Sequence, residues 1–223
     1  MKYSFLLFFP ALLLFSCDSS DQLENRSTTP TEADSVLVPG FGPDEDSLAS
    51  RPRYVSSIIK AFSDFQQAVY NEDTEGVNAF IDPEYGVFII ENPGAMPKMT
   101  RVTDISTFKR QFQELSFFSV KERLKTCKPV EEDLPTFNCE DQTNKNAGYS
   151  KEGCFIDDAK MFRESTIYKF AGLTEEETEL VEDMLPLVQK IILQTTSSYK
   201  FYFGIVNGKW RVLFIDLRTP CTA

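Results

Sequence analysis

The sequence of 223 residues contains no histidine and a single tryptophan, Trp210. Hydrolases with a Ser-His-Asp triad and enzymes with a Cys-His pair need an imidazole to accept and return the proton. The absence of histidine therefore excludes both classes. Proton transfer at neutral pH would instead require a carboxylate, a lysine or a tyrosine whose pKa is shifted by its surroundings.

Metal-binding patterns are also missing from the sequence. No two cysteines stand in Cys-x-x-Cys spacing, and without histidine a four-thiolate zinc site is the one zinc alternative left. The segment DQTNKNAG at 141–148 is rich in oxygen ligands, but it lacks the alternating aspartates and the closing glutamate of a calcium-binding loop. We therefore interpret it as a solvated loop and predict neither a metal nor a cofactor.

No apolar run approaches the roughly eighteen residues that a membrane-spanning helix needs. Residues 5–15 are apolar apart from Pro10 and follow Lys2, which is typical of a signal peptide. The quartet LFSC at 14–17 resembles the lipobox of bacterial lipoproteins, in which the cysteine becomes the acylated first residue. The alternative is an ordinary signal peptide whose Cys17 later enters a disulfide.

The resemblance to bacterial lipoproteins implies a membrane anchor made of lipid rather than of a helix. A cysteine carrying several palmitate-like chains gains about 0.8 kcal/mol per buried methylene, enough for stable attachment. We predict a signal peptide at residues 1–16 and lipidation at Cys17. The expected location is the bacterial cell envelope, as an outer membrane lipoprotein that faces the periplasm or the cell surface.

The net charge of −11 is concentrated near the start of the chain. Residues 18–50 carry eight acidic residues against Arg26 alone, with few large apolar residues. Such a segment cannot bury enough apolar surface to offset the entropy of ordering. We predict a disordered tether at residues 17–50 and a single domain at residues 51–223. The acidity disfavours nucleic acid as a partner, because nucleic acid is bound by clustered lysine and arginine.

Two short motifs in the tether, DSV at 34–36 and DSL at 46–48, resemble the Asp-Ser-apolar acceptor of O-glycosylation in Bacteroidetes. The acid-rich start after Cys17 likewise resembles the export signal of surface lipoproteins in that group. The resemblance implies glycosylation at Ser35 and Ser47. The alternative is an unmodified, solvated linker.

Four cysteines remain beyond Cys17, and an even number in an exported chain predicts two disulfides. Three pairings are possible. We expect Cys139 to pair with Cys154, which closes a short local loop, and Cys127 to pair with Cys221, which ties the middle of the domain to its C-terminus.

The start of the domain shows two helical patterns and one strand. Apolar residues recur at helical spacing over Tyr54–Tyr70, which predicts a long amphipathic helix. Asp73 or Thr74 can cap a short second helix. The segment GVFII at 86–90 is typical of a buried strand.

The middle of the domain is less regular. Thr103 can cap a third helix with an apolar stripe over residues 105–115. Residues 125–160 contain three of the four cysteines among prolines, glycines and polar residues, which favours a loop or hairpin held by disulfides. Residues 165–170 are typical of a strand.

The end of the domain carries the clearest local signals. Thr174 and Glu177 form a capping box that predicts a helix reaching residue 195, kinked or restarted at Pro186. Two apolar strands flank Asn207-Gly208, the preferred pair for a two-residue type I′ turn. Helices first and paired strands later predict an α+β fold, in which helices pack on a curved, mainly antiparallel sheet that ends in a long hairpin.

The order of these elements, together with NEDTEGVNAFIDPEYGVFII at 71–90 and NGKWRVLFIDL at 207–217, resembles the NTF2-like (SnoaL-like) superfamily. That resemblance implies a cone with a pocket at its open end. Some enzymes of the family pair an acidic residue with a tyrosine in an apolar pocket, which makes Asp82, Glu84 and Tyr85 the weak catalytic candidates. The alternative is that these three residues form a turn.

Two functions follow from these observations. The preferred one is an envelope-anchored lipoprotein whose non-catalytic α+β domain binds an unknown protein or small-molecule ligand. The alternative is an NTF2-like small-molecule isomerase or hydratase-like enzyme that uses a buried carboxylate.

Overall fold

A seven-stranded mixed sheet forms the centre of the structure, which is a computed structural model. It describes residues 51–139 and 148–221, and gives the backbone alone at residues 51–56. These ranges contain nine strands: β1 Val87–Glu91, β2 Lys98–Val102, β3 Val130–Glu131, β4 Phe137–Asn138, β5 Gly148–Tyr149, β6 Cys154–Asp158, β7 Val188–Gln194, β8 Tyr199–Val206 and β9 Lys209–Asp216.

The large sheet has the order β2-β1-β9-β8-β7-β6-β3, and β4 pairs with β5 in a separate small sheet. Only the β1–β9 and β3–β6 pairs are parallel among the described strands; the other neighbours are antiparallel. In the described part of the chain the edge strands β2 and β3 do not pair, so this sheet is open. The fold is therefore α+β with a mainly antiparallel sheet, as the sequence predicts.

Four α-helices and four 3-10 segments accompany the strands in the described ranges. They are the helices α1 Arg51–Tyr70, α2 Thr74–Asn78, α3 Lys160–Arg163 and α4 Glu175–Met184, and the 3-10 segments Ile105–Thr107, Phe117–Glu122, Ile167–Phe170 and Leu185–Leu187. Both predicted N-terminal helices are confirmed, and Asp73 caps α2 by accepting from the Gly76 amide at 3.0 Å. The capping box of Thr174 and Glu177 at the start of α4 is also confirmed.

Helix α1 covers one face of the sheet with a phenylalanine-rich core. The rings of Phe62 and Phe201 lie 5.4 Å apart between centroids, and those of Phe65 and Phe203 meet edge to face at 6.0 Å. All four side chains are fully buried. This packing fills the space between α1 and the sheet.

A second apolar cluster covers the opposite face, beneath α3 and α4. Phe162 of α3 stacks on Tyr202 with ring centroids 3.8 Å apart, and meets Phe214 at 4.9 Å. Val181 and Met184 of α4 are buried in the same cluster. The sheet is thus buried on both faces, which explains why its strands lack a strict apolar-polar alternation.

The C-terminal hairpin is confirmed residue for residue at its turn. Asn207 and Gly208 have φ angles of 52° and 72°, the two positive values that a type I′ turn requires. The turn sets the register of β8 against β9, with Val206 opposite Lys209.

The predicted third helix over residues 105–115 is wrong. Asp104, rather than Thr103, caps a single 3-10 turn, and the Arg110 amide then donates to the Leu115 carbonyl at 2.8 Å to close a tight loop. Within that loop the Phe112 side chain is 71% exposed instead of buried. Ile105 and Phe108 pack into the core as predicted, but the second half of the stripe, Phe112 and Leu115, lies at the surface.

Two predictions in the second half are also corrected. Residues 165–170 do not form a strand, since Ile167–Phe170 is a 3-10 segment. The predicted helix from Thr174 ends at Met184, and Val188–Gln194 forms strand β7. Pro186 removes an amide donor at the point of change, and the run after it is rich in β-branched residues, which a strand buried on both faces accommodates.

Two disulfides are present, but their pairing differs from the expected one. Cys127 pairs with Cys154, and Cys139 pairs with Cys221, with Cα–Cα distances of 6.1 and 5.8 Å. The expected Cys139–Cys154 and Cys127–Cys221 pairs are therefore wrong. The short sequence separation favoured the Cys139–Cys154 pair. In the structure, β3 pairs with β6, and this places Cys127, just before β3, beside Cys154 at the start of β6.

The predicted signal peptide, Cys17, the tether and the motifs at Ser35 and Ser47 all lie outside the described residues, as does most of the segment at 141–148. No helix in the described ranges is long and apolar enough to span a membrane.

Candidate functional site

One end of the large sheet carries most of the buried polar side chains. There β1, β7 and β9 end and β6 and β8 begin, and we call it the polar end; the opposite end, with the Asn207-Gly208 turn, is the turn end. The buried polar residues at the polar end are Glu91, Gln194, Thr195, Ser197, Ser198 and Asp216. Buried polar groups need partners, so this end is where ligand-binding chemistry is most easily built.

A cleft of about 260 Å³ opens at the polar end, and we call it the arginine cleft. It is lined by Glu91, Asn92, Pro93, Arg110, Gln111, Phe112, Arg123, Leu217, Arg218 and Thr219. The ionisable groups among these described residues are three guanidinium groups and the carboxylate of Glu91. The exposed Phe112 ring stands among these residues.

Arg110 is fixed by the last residue of β1. Its Nε donates to Glu91 Oε1 at 2.7 Å, and the Gln111 amide donates to Glu91 Oε2 at 3.0 Å. Burial lowers the pKa of Arg110, but the hydrogen bond to Glu91 and its negative charge raise it, so that the pKa lies above its ordinary value. Arg110 therefore stays charged, and both oxygens of Glu91 already accept hydrogen bonds.

Arg123 follows the 3-10 segment Phe117–Glu122 and reaches the same cleft. Its guanidinium donates to the Ser197 carbonyl at 3.1 Å and to the Thr219 hydroxyl at 3.3 Å, and lies 5.3 Å from the centroid of the Tyr199 ring. None of these partners is charged, and the side chain of Arg123 is exposed. Its positive charge is therefore available to a ligand.

Arg218 lies two residues beyond β9 and forms a bidentate ion pair with the buried Asp216, which is 1% exposed. Its Nε and Nη2 donate to the two Asp216 oxygens at 2.8 and 2.7 Å, and Lys200 Nζ lies 3.7 Å from the second oxygen. The hydrogen bond to Asp216 raises the pKa of Arg218. The carboxylate is thus held between two cations.

A second cavity of about 390 Å³ adjoins the cleft, and we call it the aromatic pocket. It is lined by Asn92, Leu134, Pro135, Phe137, Tyr149, Leu193, Lys200, Asp216, Arg218, Thr219, Pro220 and Cys221. The Cys139–Cys221 disulfide thus ties one of its walls to the segment that follows β4.

Two tyrosines near Asp216, Tyr149 and Tyr202, have raised pKa values. Burial raises the pKa of Tyr149, with a smaller lowering by Ser198 and a further increase from the charge of Asp216. Burial and then Asp216 raise the pKa of Tyr202 well above its usual range. The Tyr149 hydroxyl makes no hydrogen bond of good geometry among the described residues, although Ser198 lies beside it. Both phenols are therefore neutral donors rather than bases at neutral pH.

The largest of the described clefts, about 610 Å³, lies elsewhere, between the outer surface of α1 and residues 126–129. Its helix wall is made largely of exposed side chains, and its Lys60 and Asp64 pair with each other at 2.7 Å. Its one buried polar residue, Gln66, is engaged by the backbone of Cys127 at 3.2 Å. This groove offers no convergent set of free polar groups.

The candidates Asp82, Glu84 and Tyr85 lie in a turn before β1. Asp82 is 2% exposed, and its Oδ1 accepts from the amides of Glu84 and Tyr85 at 3.0 and 3.2 Å. Arg101 binds the carbonyls of the same two residues. None of the three lines the clefts described above. The Asp82 side chain and the backbone groups of Glu84 and Tyr85 hold the turn together.

Sequence reasoning missed the arginines of the cleft. Arg110, Arg123 and Arg218 are separated by 13 and 95 positions, so only the folded chain brings them together. One local signal was available: Asp216 and Arg218 stand two apart at the end of a predicted strand, a spacing that places both on one side.

The described residues contain no group of three or more His, Cys, Asp or Glu side chains that could hold a metal ion. Comparisons of this chain with protein-family models, with curated proteins and with solved structures found no match. The resemblances to lipoproteins and to the NTF2-like superfamily therefore stay predictions from sequence, and the site itself carries the functional argument.

Proposed function

We propose that this protein is a bacterial envelope lipoprotein, anchored through Cys17, whose α+β domain binds a small oxyanion in the arginine cleft without catalysing a reaction. The observation that carries the proposal is the convergence of three guanidinium groups in one cleft, in a domain whose residues 51–223 have a net charge of −5. Two of them are paired with Glu91 and Asp216, whereas Arg123 pairs with no carboxylate among the described residues. Guanidinium groups recognise carboxylates and phosphates through paired N–H donors.

The cleft is organised before a ligand arrives. Glu91 fixes Arg110, Asp216 fixes Arg218, and the Ser197 carbonyl and Thr219 hydroxyl orient Arg123. Because these partners use only some of the five N–H donors of each guanidinium, the others remain for an oxyanion. Side chains that are already ordered lose little entropy on binding.

The chemistry of the polar end supports binding rather than catalysis. A general base at neutral pH must be able to take up a proton near that pH. Tyr149 and Tyr202 keep their protons, and the carboxylates of Glu91 and Asp216 are each engaged by an arginine. These groups are suited to hold a charge in place.

The alternative, an NTF2-like isomerase or hydratase, needs a buried carboxylate free to accept a proton. Among the described residues, two buried carboxylates line the cavities, but Arg110 pairs with Glu91, and Arg218 and Lys200 both neutralise Asp216. Asp82 is engaged by its own turn. The enzyme proposal therefore has less support than the binding proposal.

Titration calorimetry of the full chain with inorganic phosphate tests the binding proposal. We expect binding by the parent, and about a tenfold loss of affinity in Arg123→Gln, since a charge-assisted hydrogen bond contributes about 1.5–3 kcal/mol. Arg163→Gln is the matched control, because Arg163 bonds Asp158 and the Val188 carbonyl at the turn end. Equal affinity in the parent and in Arg123→Gln would refute the assigned site.

The anchor is tested separately. Cys17→Ser removes the acylated thiol, so the protein should move from the membrane fraction to the soluble fraction of fractionated cells. Cys221→Ser serves as a control for the loss of a thiol that does not carry lipid. Unchanged membrane partition of Cys17→Ser would refute the lipoprotein proposal and leave the cleft proposal standing.

A further inference from the structure

The aromatic pocket continues the arginine cleft around the end of the sheet. Asn92, Arg218 and Thr219 line both cavities. The cleft lies towards the α1 face, on the side of Tyr199, while the pocket lies towards the opposite face, on the side of Lys200. A ligand held at Arg218 can therefore extend into the pocket.

The walls of the aromatic pocket differ in chemistry from those of the cleft. Phe137 and Tyr149 meet edge to face with ring centroids 4.7 Å apart, and both rings are half-buried. Leu193 and Pro135 add buried apolar surface. Apolar walls with a few polar groups are typical of pockets that bind rings.

The charges inside the pocket do not oppose an anionic ligand. Among the described residues that line it, Asp216 is the one carboxylate, and Arg218 and Lys200 compensate that charge. The Tyr149 hydroxyl at the same wall is buried and neutral, so it adds no negative charge that would repel an anion.

We propose that the ligand is an aryl oxyanion, a planar aromatic ring that carries a carboxylate or phosphate group. The oxyanion binds between Arg123 and Arg218 in the arginine cleft, and the ring binds against Phe137 and Tyr149 in the aromatic pocket. This inference rests on the proposed function, because it takes the arginine cleft as the oxyanion subsite. It adds the class of the ligand and a second subsite.

The test compares two probes on the full chain by titration calorimetry: inorganic phosphate, which fills the cleft alone, and phenyl phosphate, which adds the ring. Phenyl phosphate should bind about tenfold more tightly than phosphate, a gain within the range of one buried aromatic contact. In Phe137→Ala this gain should disappear while the affinity for phosphate stays unchanged. Arg123→Gln should weaken both probes by the same factor.

Phe170→Ala is the matched control, since Phe170 is 60% exposed and lies outside both cavities. It should leave both affinities unchanged. If Phe137→Ala does not fold, Phe137→Leu keeps the apolar volume without the ring and should lose part of the gain. Phosphate binding with no gain for phenyl phosphate, or a gain that both Phe137 variants retain, overturns this inference and leaves the proposed function intact. Absence of binding by either probe overturns both.

Discussion

The two ends of the large sheet are built differently. At the turn end, β8 and β9 are joined by two residues, Asn207 and Gly208, and local backbone geometry is enough to close the structure. At the polar end, both disulfides, the buried Asp216 and a chain of glutamine hydrogen bonds hold together segments that are distant in sequence.

The difference shows what a binding site requires of a fold. A two-residue turn leaves no room for a cavity, whereas the arginine cleft and the aromatic pocket both open at the polar end. At this end, disulfides and buried hydrogen bonds add to the hydrophobic stabilisation that the core supplies. If this comparison is correct, substitutions at the polar end should lower the free energy of unfolding more than substitutions at the turn end.

The largest effect is expected from removing the Cys127–Cys154 disulfide. In the chain-entropy model its 27-residue separation is worth about 3.5 kcal/mol and the 82-residue Cys139–Cys221 separation about 4.5 kcal/mol. We predict the reverse order for the Cys→Ala double variants, measured as free energies of unfolding in urea: a loss of about 4–5 kcal/mol for the first and about 2 kcal/mol for the second.

The reason for this reversal is the surroundings of each bond. Cys154 is 5% exposed, and Gln66 and Gln194 each place a side-chain nitrogen 3.4 Å from Cys127 Sγ. Loss of this bond leaves a cavity and unpaired amides. Cys139 and Cys221 are exposed, so their segments gain conformational freedom in the folded state when that bond is absent. This gain offsets part of the free energy of unfolding that the loss of the bond removes. A larger loss of unfolding free energy in the Cys139–Cys221 variant would mean that loop length alone determines how much each disulfide stabilises the fold.

A smaller effect is expected from Gln194→Ala, also at the polar end. Gln194 is 1% exposed, and its side chain accepts from the Lys125 amide at 3.0 Å and the Ser197 hydroxyl at 2.9 Å. Removing these bonds should destabilise the fold by about 2 kcal/mol in urea denaturation, because buried groups lose their partners. Gln67→Ala, at an exposed glutamine of α1, should stay within about 0.5 kcal/mol of the parent. Equal effects of the two changes would contradict a structural role for Gln194.

The same contrast explains what could be predicted from sequence. The hairpin around Asn207-Gly208, the long helix α1 and the capping box at Thr174 depend on residues close in sequence. The sequence predicts the hairpin and α1 with their type and nearly their ends, and the capping box with the start of its helix alone. The sequence predicts a helix in place of strand β7. Because β7 is buried on both faces, its apolar residues do not alternate with polar ones, and the alternation that identifies a strand is missing.

The candidate site could not be predicted for a related reason. Arg110 reaches Glu91 only because the expected helix around it is a loop, and Arg123 reaches Thr219 across 96 positions. The disulfide pairing failed in the same way, since the alignment of sheet strands rather than loop length brings Cys127 to Cys154. Each of these contacts is a product of tertiary structure.

At the turn end, Asn207→Ala should have a modest effect. Alanine at a φ of 52° meets the steric cost of the left-handed region, so we expect a loss of about 1 kcal/mol in the free energy of unfolding. Asn207→Gly is the control and should stay within about 0.5 kcal/mol, because glycine adopts this conformation readily. A loss for alanine that exceeds that for Gln194→Ala would reverse the proposed ranking of the two ends.

The smallest effect concerns Asp104, which follows β2 at the turn end. Hydrogen bonds from the Asn78 side chain and then from Ser106 lower the pKa of Asp104 below its usual value of 3.8. The charged form is therefore favoured by folding, so its stabilisation is complete above the unfolded-state pKa and is lost as the pH falls through the lower folded-state pKa. Asp104→Asn keeps an oxygen that can accept from Ser106 but removes the charge. In urea denaturation the variant should be slightly less stable than the parent at pH 7, and the two should converge as the pH falls through the lowered folded-state pKa and the parent carboxylate also becomes neutral. A difference that stays constant across this acid range would mean that the charge of Asp104 has no part in it.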